Sequence, residues 1–285
     1  MYLMSLMWSV DSLVEQSSHQ VLKTSGFVQV EDAKTVSASN LHPWLLSHCA
    51  SSFFRHHFNR GLTHWSRCVE VPYVLSQVAR FSQLRKTSNL GFLDNACGIG
   101  STSYVLASLG FDIQGSDLFP DSPQGGVTPA ESWSGDDAKS AKGEMAFASA
   151  DSLKLPFGSN HFDGSYSISS LEHMPDPARA IREMVRVTKP GGLVCFSMDV
   201  APYGESVKGE SNVNISNFLE IQEWLRSHCD LFAPARWSVP GQELSWQKGC
   251  RKSSPIRNVV GGALRRLKQE PDLNFYIYCG SWIKK

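Results

Sequence analysis

From Leu90 onward, short apolar runs alternate with stretches of helical periodicity, and this alternation limits the fold more than any other feature. Strands joined through helices return to the same end of a sheet and run parallel. "LGFLDNA" reads as a buried strand. "STSYVLASLG" follows as a helix, with Tyr104, Val105, Leu106 and Leu109 apolar and Gly110 as its stop. "FDIQGSD", "MAFASAD" and "HFDGSYSIS" read as the second to fourth strands. "DPARAIREMVRVTKPGG" is the clearest helix: Asp176 can cap it, Pro177 suits its first position, Ile181, Met184, Val185 and Thr188 form the inner face, and Pro190, Gly191 and Gly192 end it. "LVCFSMDV" is a fifth strand, "ISNFLEIQEWLRSH" a helix, and "LFAPARW" and "NFYIYCGSWI" are late strands.

Two stretches stand outside this alternation. Residues 119–143, rich in Pro, Gly, Ser and Asp, read as a surface insertion between the second and third strands. Residues 1–88 precede the sheet and are expected to form a helical cap over its carboxyl edge, with 89–285 as the main domain. Within the cap, "VPYVLSQVARF" carries Val74, Leu75, Val78 and Phe81 at helical spacing behind Pro72. "HWSRCVEVPY" puts Trp65, Arg67 and Tyr73 just before the core, and these are the expected substrate contacts.

The glycine turn in "FLDNACGIG" raises the question of ligand. Free N–H groups at a helix N-terminus after a strand suit a nucleotide-like molecule. A dinucleotide fingerprint needs a third glycine where Ser103 stands, and Asp94 would repel a pyrophosphate. No Gly-Lys-Ser/Thr of a phosphate loop follows. A carboxylate at the strand end suits a ligand with a cationic end. S-adenosylmethionine, which carries an ammonium and a sulfonium and no phosphate, fits. Ala96 occupies the place of a further glycine, which is tolerable if its φ is below zero.

At Asp94-Asn95-Ala96-Cys97-Gly98-Ile99-Gly100 the chain resembles the class I S-adenosylmethionine-dependent methyltransferases of the small-molecule type, over roughly residues 90–200. "GSDLF", "ASADSLKLPFGSNHFD" and "SLEHMPDPARAIREMVRVTKPGGLV" follow in the family's order. The resemblance implies an α/β fold: a doubly wound, Rossmann-like, seven-stranded mixed sheet with its last strand antiparallel. It implies that Asp94, Ala96, Cys97, Gly98 and Gly100 surround the cofactor. Asp117, followed by Leu118, would grip both ribose hydroxyls, Asp151 the adenine amino group, and Ser152 the ring through its backbone N–H. Ser167 would lie against the methionine part.

The implied reaction is direct displacement, with a substrate O, N, C or S attacking the methyl carbon in line with the leaving sulfur. A general base is needed only for a protonated nucleophile. His173 is the expected catalytic residue, with His64, Glu172, Asp199 and Tyr203 as other candidates. Glu183 and Arg186 read as an ion pair, and Cys97 and Cys195 as non-nucleophilic. The 27 basic and 27 acidic residues balance, which argues against nucleic acid as a partner and leaves a small molecule, a lipid or quinone, or a glycan as acceptor. Seven cysteines without pairing pattern suggest reduced thiols and a cytoplasmic protein. The apolar start "MYLMSLMWSV" stops at Asp11 and lacks a basic n-region, and no apolar run reaches the length of a membrane span. Five histidines between His42 and His64 match no standard metal spacing, and no metal is expected. Two rivals stay open: a cofactor-binding regulatory protein without turnover, and a nicotinamide-dependent oxidoreductase.

Overall fold

A computed structural model describes residues 67–87, 89–98, 100–118, 141–201, 213–238 and 276–285. Trp65, His64, Tyr203, His42–His57 and nearly all of the 119–143 stretch lie outside the described residues. The chain order is α1 (Arg67–Arg85), β1 (Gly91–Asn95), α2 (Ser101–Ser108), β2 (Asp112–Asp117), β3 (Met145–Ser149), β4 (Phe162–Ile168), a 3-10 turn (Leu171–His173), α3 (Pro177–Val187), β5 (Thr188–Val200), α4 (Ile215–His228), β6 (Cys229–Ser238) and β7 (Tyr276–Lys284).

The described strands form one seven-stranded sheet in the order β3-β2-β1-β4-β5-β7-β6. β1 pairs in parallel with β2 on one side and β4 on the other, so the order reverses beside β1. Ligands bind at such a switch point, outside the carboxyl ends of the strands. β7 runs antiparallel to both β5 and β6. The expected mixed doubly wound sheet is therefore present, with its antiparallel last strand inserted between β5 and β6.

Burial in β5 follows the two-residue period of a covered strand. Leu193 and Cys195 join the core on the α1–α2 face, while Val194, Phe196 and Met198 join the core under α3 and α4. α3 forms as its sequence requires. The Asp176 side chain accepts from the Arg179 N–H at 2.9 Å, Pro177 opens the helix, and Ala180, Ile181, Met184, Val185 and Val187 are buried. It ends at Val187, before the Pro-Gly-Gly expected to stop it. Thr188 is already extended and turns its hydroxyl back onto the Met184 carbonyl at 2.8 Å.

The described part of residues 1–88 departs from the expected cap over the sheet edge. α1 lies on the face of the sheet: Val71, Val74, Leu75, Val78 and Phe81 are buried in one core cluster with Phe92, Tyr166, Cys195 and Ile277. A helix with this many buried apolar positions gains about 1.5–3 kcal/mol for each large side chain covered, and a face of the sheet offers more apolar area than its rim.

Candidate functional site

Four chain segments meet at the carboxyl edge around β1. The first is the glycine turn. Ala96, Gly98 and Gly100 all have positive φ, at 58°, 56° and 69°. The Cys97 N–H donates to the Ser116 carbonyl at 3.0 Å and the Gly100 N–H to the Cys97 carbonyl at 2.9 Å, which closes the turn against β2. The proposed condition for Ala96, a negative φ, is not met. Its backbone is left-handed, at a cost of roughly 1–2 kcal/mol for a residue with a Cβ.

Asp117 ends β2 and holds this turn. Its Oδ2 accepts from the Gly98 N–H at 2.7 Å, and its Oδ1 from the Leu118 N–H at 2.7 Å. Each carboxylate oxygen has a second lone pair, so two neighbouring hydroxyls can still be accepted. Leu118, beside it, is 51% exposed, an apolar surface at the rim of the edge.

Asp94 is buried at the end of β1, and its Oδ2 accepts from the Ser103 hydroxyl at 2.6 Å. Burial pushes its carboxyl up to about 7, against the pull of the Ser103 bond. The residue in the third glycine place therefore serves as the partner of the acid. Burial, with the fields of Asp94 and Asp117, also drives the Cys97 thiol well above its ordinary range, so it carries no thiolate.

The third segment is the turn after β3. Asp151 is exposed, and its Oδ1 accepts from the Leu153 N–H at 2.9 Å. The Arg186–Glu183 pair clamps the rest of this loop. Arg186 donates to both Glu183 carboxylate oxygens at 2.7 Å and to the carbonyls of Leu155 and Phe157, and Glu183 accepts from the Leu155 N–H. The Arg186 bond holds the Glu183 carboxyl below its ordinary range.

Two residues to which the sequence reading gave no part in the site belong here. Ser103, read there only as the missing third glycine, is one. The other is Asn95, wholly buried, whose Oδ1 accepts from the Ser152 hydroxyl at 2.9 Å and the Ser116 hydroxyl at 3.5 Å. Among the described residues its Nδ2 has no hydrogen-bond partner. A buried donor left unpaired costs about 1–3 kcal/mol. The available signal was a carboxamide ending an otherwise apolar strand.

The fourth segment is the exit of β4. Ser170 donates to the Ala96 carbonyl at 3.4 Å, tying it to the glycine turn. Ser167 is buried, and its hydroxyl finds no partner among the described residues. Ser169 has φ 47° and donates through Oγ to Glu172 Oε1 at 2.8 Å. Its N–H reaches the Ser197 hydroxyl at 3.1 Å, which in turn donates to Glu70 Oε1 at 2.9 Å. Glu70, Glu172 and Asp199 thus gather where α1, the 3-10 turn and β5 converge. Glu172 is wholly buried, and burial followed by the charges of Asp199 and Glu70 raises its carboxyl well above the ordinary range. His173 is 56% exposed, with its Nε2 3.8 Å from Glu172 Oε1.

Of the expected substrate contacts, Tyr73 is corrected. It is 3% exposed and lies in the core, its hydroxyl 3.1 Å from Ser281 Oγ on β7, opposite Cys195 in mid-sheet. Its apolar ring and single hydroxyl satisfy a core position. Arg67 opens α1. Among the described residues no group of three or more His, Cys, Asp and Glu is arranged to hold a metal ion, and no helix is long and apolar enough to cross a membrane.

Residues 93–196 match the methyltransferase domain family. The chain is 28% identical over 174 residues to the O-methyltransferase cnsE of Penicillium expansum, covering 53% of this chain and 61% of that protein. It is 38% identical over 103 residues to the chloroplastic tocopherol O-methyltransferase of Arabidopsis thaliana, covering 36% of this chain and 28% of that one. It spans less than two thirds of either relative. The Haemonchus contortus phosphoethanolamine N-methyltransferase 2, solved with S-adenosyl-L-methionine, shares the fold with a TM-score of 0.52 at 16% identity, over 94% of this chain and 60% of that one. The family match begins at the strand carrying Asp94 and runs past the turns that hold Asp117, Asp151 and Glu172, so what meets at this sheet edge is a class I S-adenosylmethionine-dependent methyltransferase domain.

Proposed function

We propose that this chain transfers a methyl group from S-adenosylmethionine to a small-molecule or lipid acceptor by direct displacement. The observation that carries the reading is Asp117, held by the Gly98 and Leu118 N–H groups with acceptor capacity left over. Two acids at a glycine turn, Asp94 buried and Asp117 half-buried, suit a diol and a cation and would oppose a pyrophosphate. The donor set therefore fits the cofactor.

When bound, S-adenosylmethionine supplies an electrophilic methyl on a positively charged sulfur. In this reading Asp117 grips the ribose and Leu118 covers the base. Asp151 and Ser152 read the adenine. Asp94 and Ser167 face the methionine end. The protein's work is then alignment, and held reactants gain about 7–11 kcal/mol over free ones. His173, exposed beside the acids at the exit of β4, is the group placed to take a proton from an acceptor that carries one. The O-methyl transfer named for the two curated relatives supports an oxygen acceptor.

Calorimetry with S-adenosylmethionine and with NAD tests the cofactor. Incubation with methyl-labelled cofactor and fractionated extract tests transfer. Micromolar binding of the former and a labelled product are expected. Binding without any labelled product would mark a regulatory protein, and NAD binding would overturn the reading.

A further inference from the structure

Asn95 ties together three segments far apart in sequence. Its Oδ1 accepts from Ser116, 21 residues away, and from Ser152, 57 residues away. Each serine adjoins an acid of the site, Ser116 before Asp117 and Ser152 after Asp151. Ser116 is already fixed by the strand ladder, since Asn95 and Ser116 are register partners in β1 and β2. The turn after β3 is held differently. β3 pairs with β2, and the turn begins with the Ala150 N–H on the Asp117 carbonyl at 2.8 Å. Beyond that point Ser152 reaches β1 through its hydroxyl on the Asn95 carboxamide.

The chemistry of the carboxamide is poorly used for packing. Phe92 and Leu93, earlier on β1, are fully buried without polar side-chain atoms, whereas Asn95 buries an Nδ2 that has no partner among the described residues. What the carboxamide adds over an aliphatic side chain is the pair of seryl bonds. They fix the distance between the ribose side of the site and its adenine side.

We propose that Asn95 is a positioning residue for cofactor recognition: through Ser152 it holds the Asp151–Ser152 turn where the adenine amino group is read. The inference rests on the cofactor reading above and extends it to a residue outside the acid-and-glycine pattern. Removing the carboxamide should blur the discrimination between adenine and a base lacking the amino group, more than it weakens binding overall.

The test is calorimetry on the full chain with S-adenosylhomocysteine and with its hypoxanthine counterpart. The wild type should favour the adenine form by about tenfold or more, the worth of one hydrogen bond to a charged group. Asn95→Leu, which fills the space without polar atoms, should compress that ratio to about twofold, and Ser152→Ala should do the same. The double variant should add nothing further, because both changes cut one link. Equal weakening toward both ligands with an unchanged ratio would make Asn95 a purely structural residue and overturn the proposal, as would strictly additive effects. Should Asn95→Leu fail to fold, Ser152→Ala alone decides by the same ratio. A wild type that binds neither ligand would overturn the cofactor reading and this inference with it.

Discussion

At the β1–β2 corner every acid has a donor: Asp117 accepts from two backbone N–H groups and Asp94 from Ser103. At the β4–β5 corner one oxygen of Glu172 accepts from Ser169 while the other meets no donor among the described residues, and Asp199 and Glu70 stand close by. The first corner is preorganised by donors that belong to the fold. At the second, burial and the neighbouring charges of Asp199 and Glu70 raise the Glu172 carboxyl well above its ordinary range. The same residue type thus does two kinds of work along one sheet edge. Backbone donors offset the cost of a carboxylate at Asp117, whereas burial, at Asp94 as at Glu172, favours the protonated form.

The sharpest way to break this contrast is Asp117→Ala. The variant loses the strap on the glycine turn and, in the proposed reading, the ribose acceptor. Two charge-assisted bonds are worth about 3 kcal/mol or more together, so cofactor affinity should fall by about a hundredfold. An affinity within threefold of wild type in a folded variant would remove Asp117 from the site.

Asp94→Asn comes next. The cationic cofactor favours the ionised acid, so wild-type affinity should rise with pH and level off above about 7. The asparagine variant should bind about tenfold more weakly at pH 8 and show no such rise. Isothermal titration from pH 6 to 8.5 reads both. A variant that keeps the wild-type pH profile would show that Asp94 is not its source.

Glu172→Gln probes the other corner through stability. Asp94 and Glu172 both retain protons in the folded state that the unfolded chain has released. Their stabilising contribution is therefore full below the ordinary carboxyl range, about 4, and is lost as pH rises through the folded values. The wild type should lose stability between pH 5 and 8, and Glu172→Gln should flatten that decline. At pH 8 the variant should be more stable by about 1 kcal/mol, because an uncharged amide replaces a carboxyl pressed by two acids. Chemical denaturation at several pH values measures this. Parallel slopes for variant and wild type would mean that Glu172 is ionised in the fold and already compensated.

Much of this was legible in the linear sequence, for reasons that differ by residue. The strands and α3 announced themselves through period and caps, which act locally: Asp176 and Pro177 open α3 as written. The places of Asp94 and Asp117 at strand ends and of the two glycines in a tight turn were readable because such positions leave few alternatives. Tyr73 was misread because an aromatic residue before a core looks the same whether it faces a ligand or β7, and only Ser281, 208 residues away, settles it. The bonds of Asn95 to Ser152 and of Ser103 to Asp94 were missed for the same reason. Their roles come from partners on other segments, and no local period encodes those.

Ala96 offers the finest test, because the sequence argument and the backbone disagree there. A negative φ would let the methyl group sit without strain, and glycine would then add nothing but unfolded-state freedom. The observed φ is 58°, within a turn where Gly98 and Gly100 are also left-handed. Ala96→Gly should relieve roughly 1–2 kcal/mol of backbone strain. It should also cost about 0.4–1 kcal/mol through the added freedom of the unfolded chain. The net gain, about 0.5–1 kcal/mol, corresponds to a rise in Tm of a few degrees at most for a domain of this size. Cofactor affinity should stay within about twofold, since Gly98 and Asp117 hold the turn whether or not the methyl group is present. Ala96→Val should behave oppositely. A β-branched side chain at positive φ strains the turn itself, so Tm and affinity should fall together. A glycine variant less stable than wild type would mean that Ala96 is not held in the left-handed region in solution.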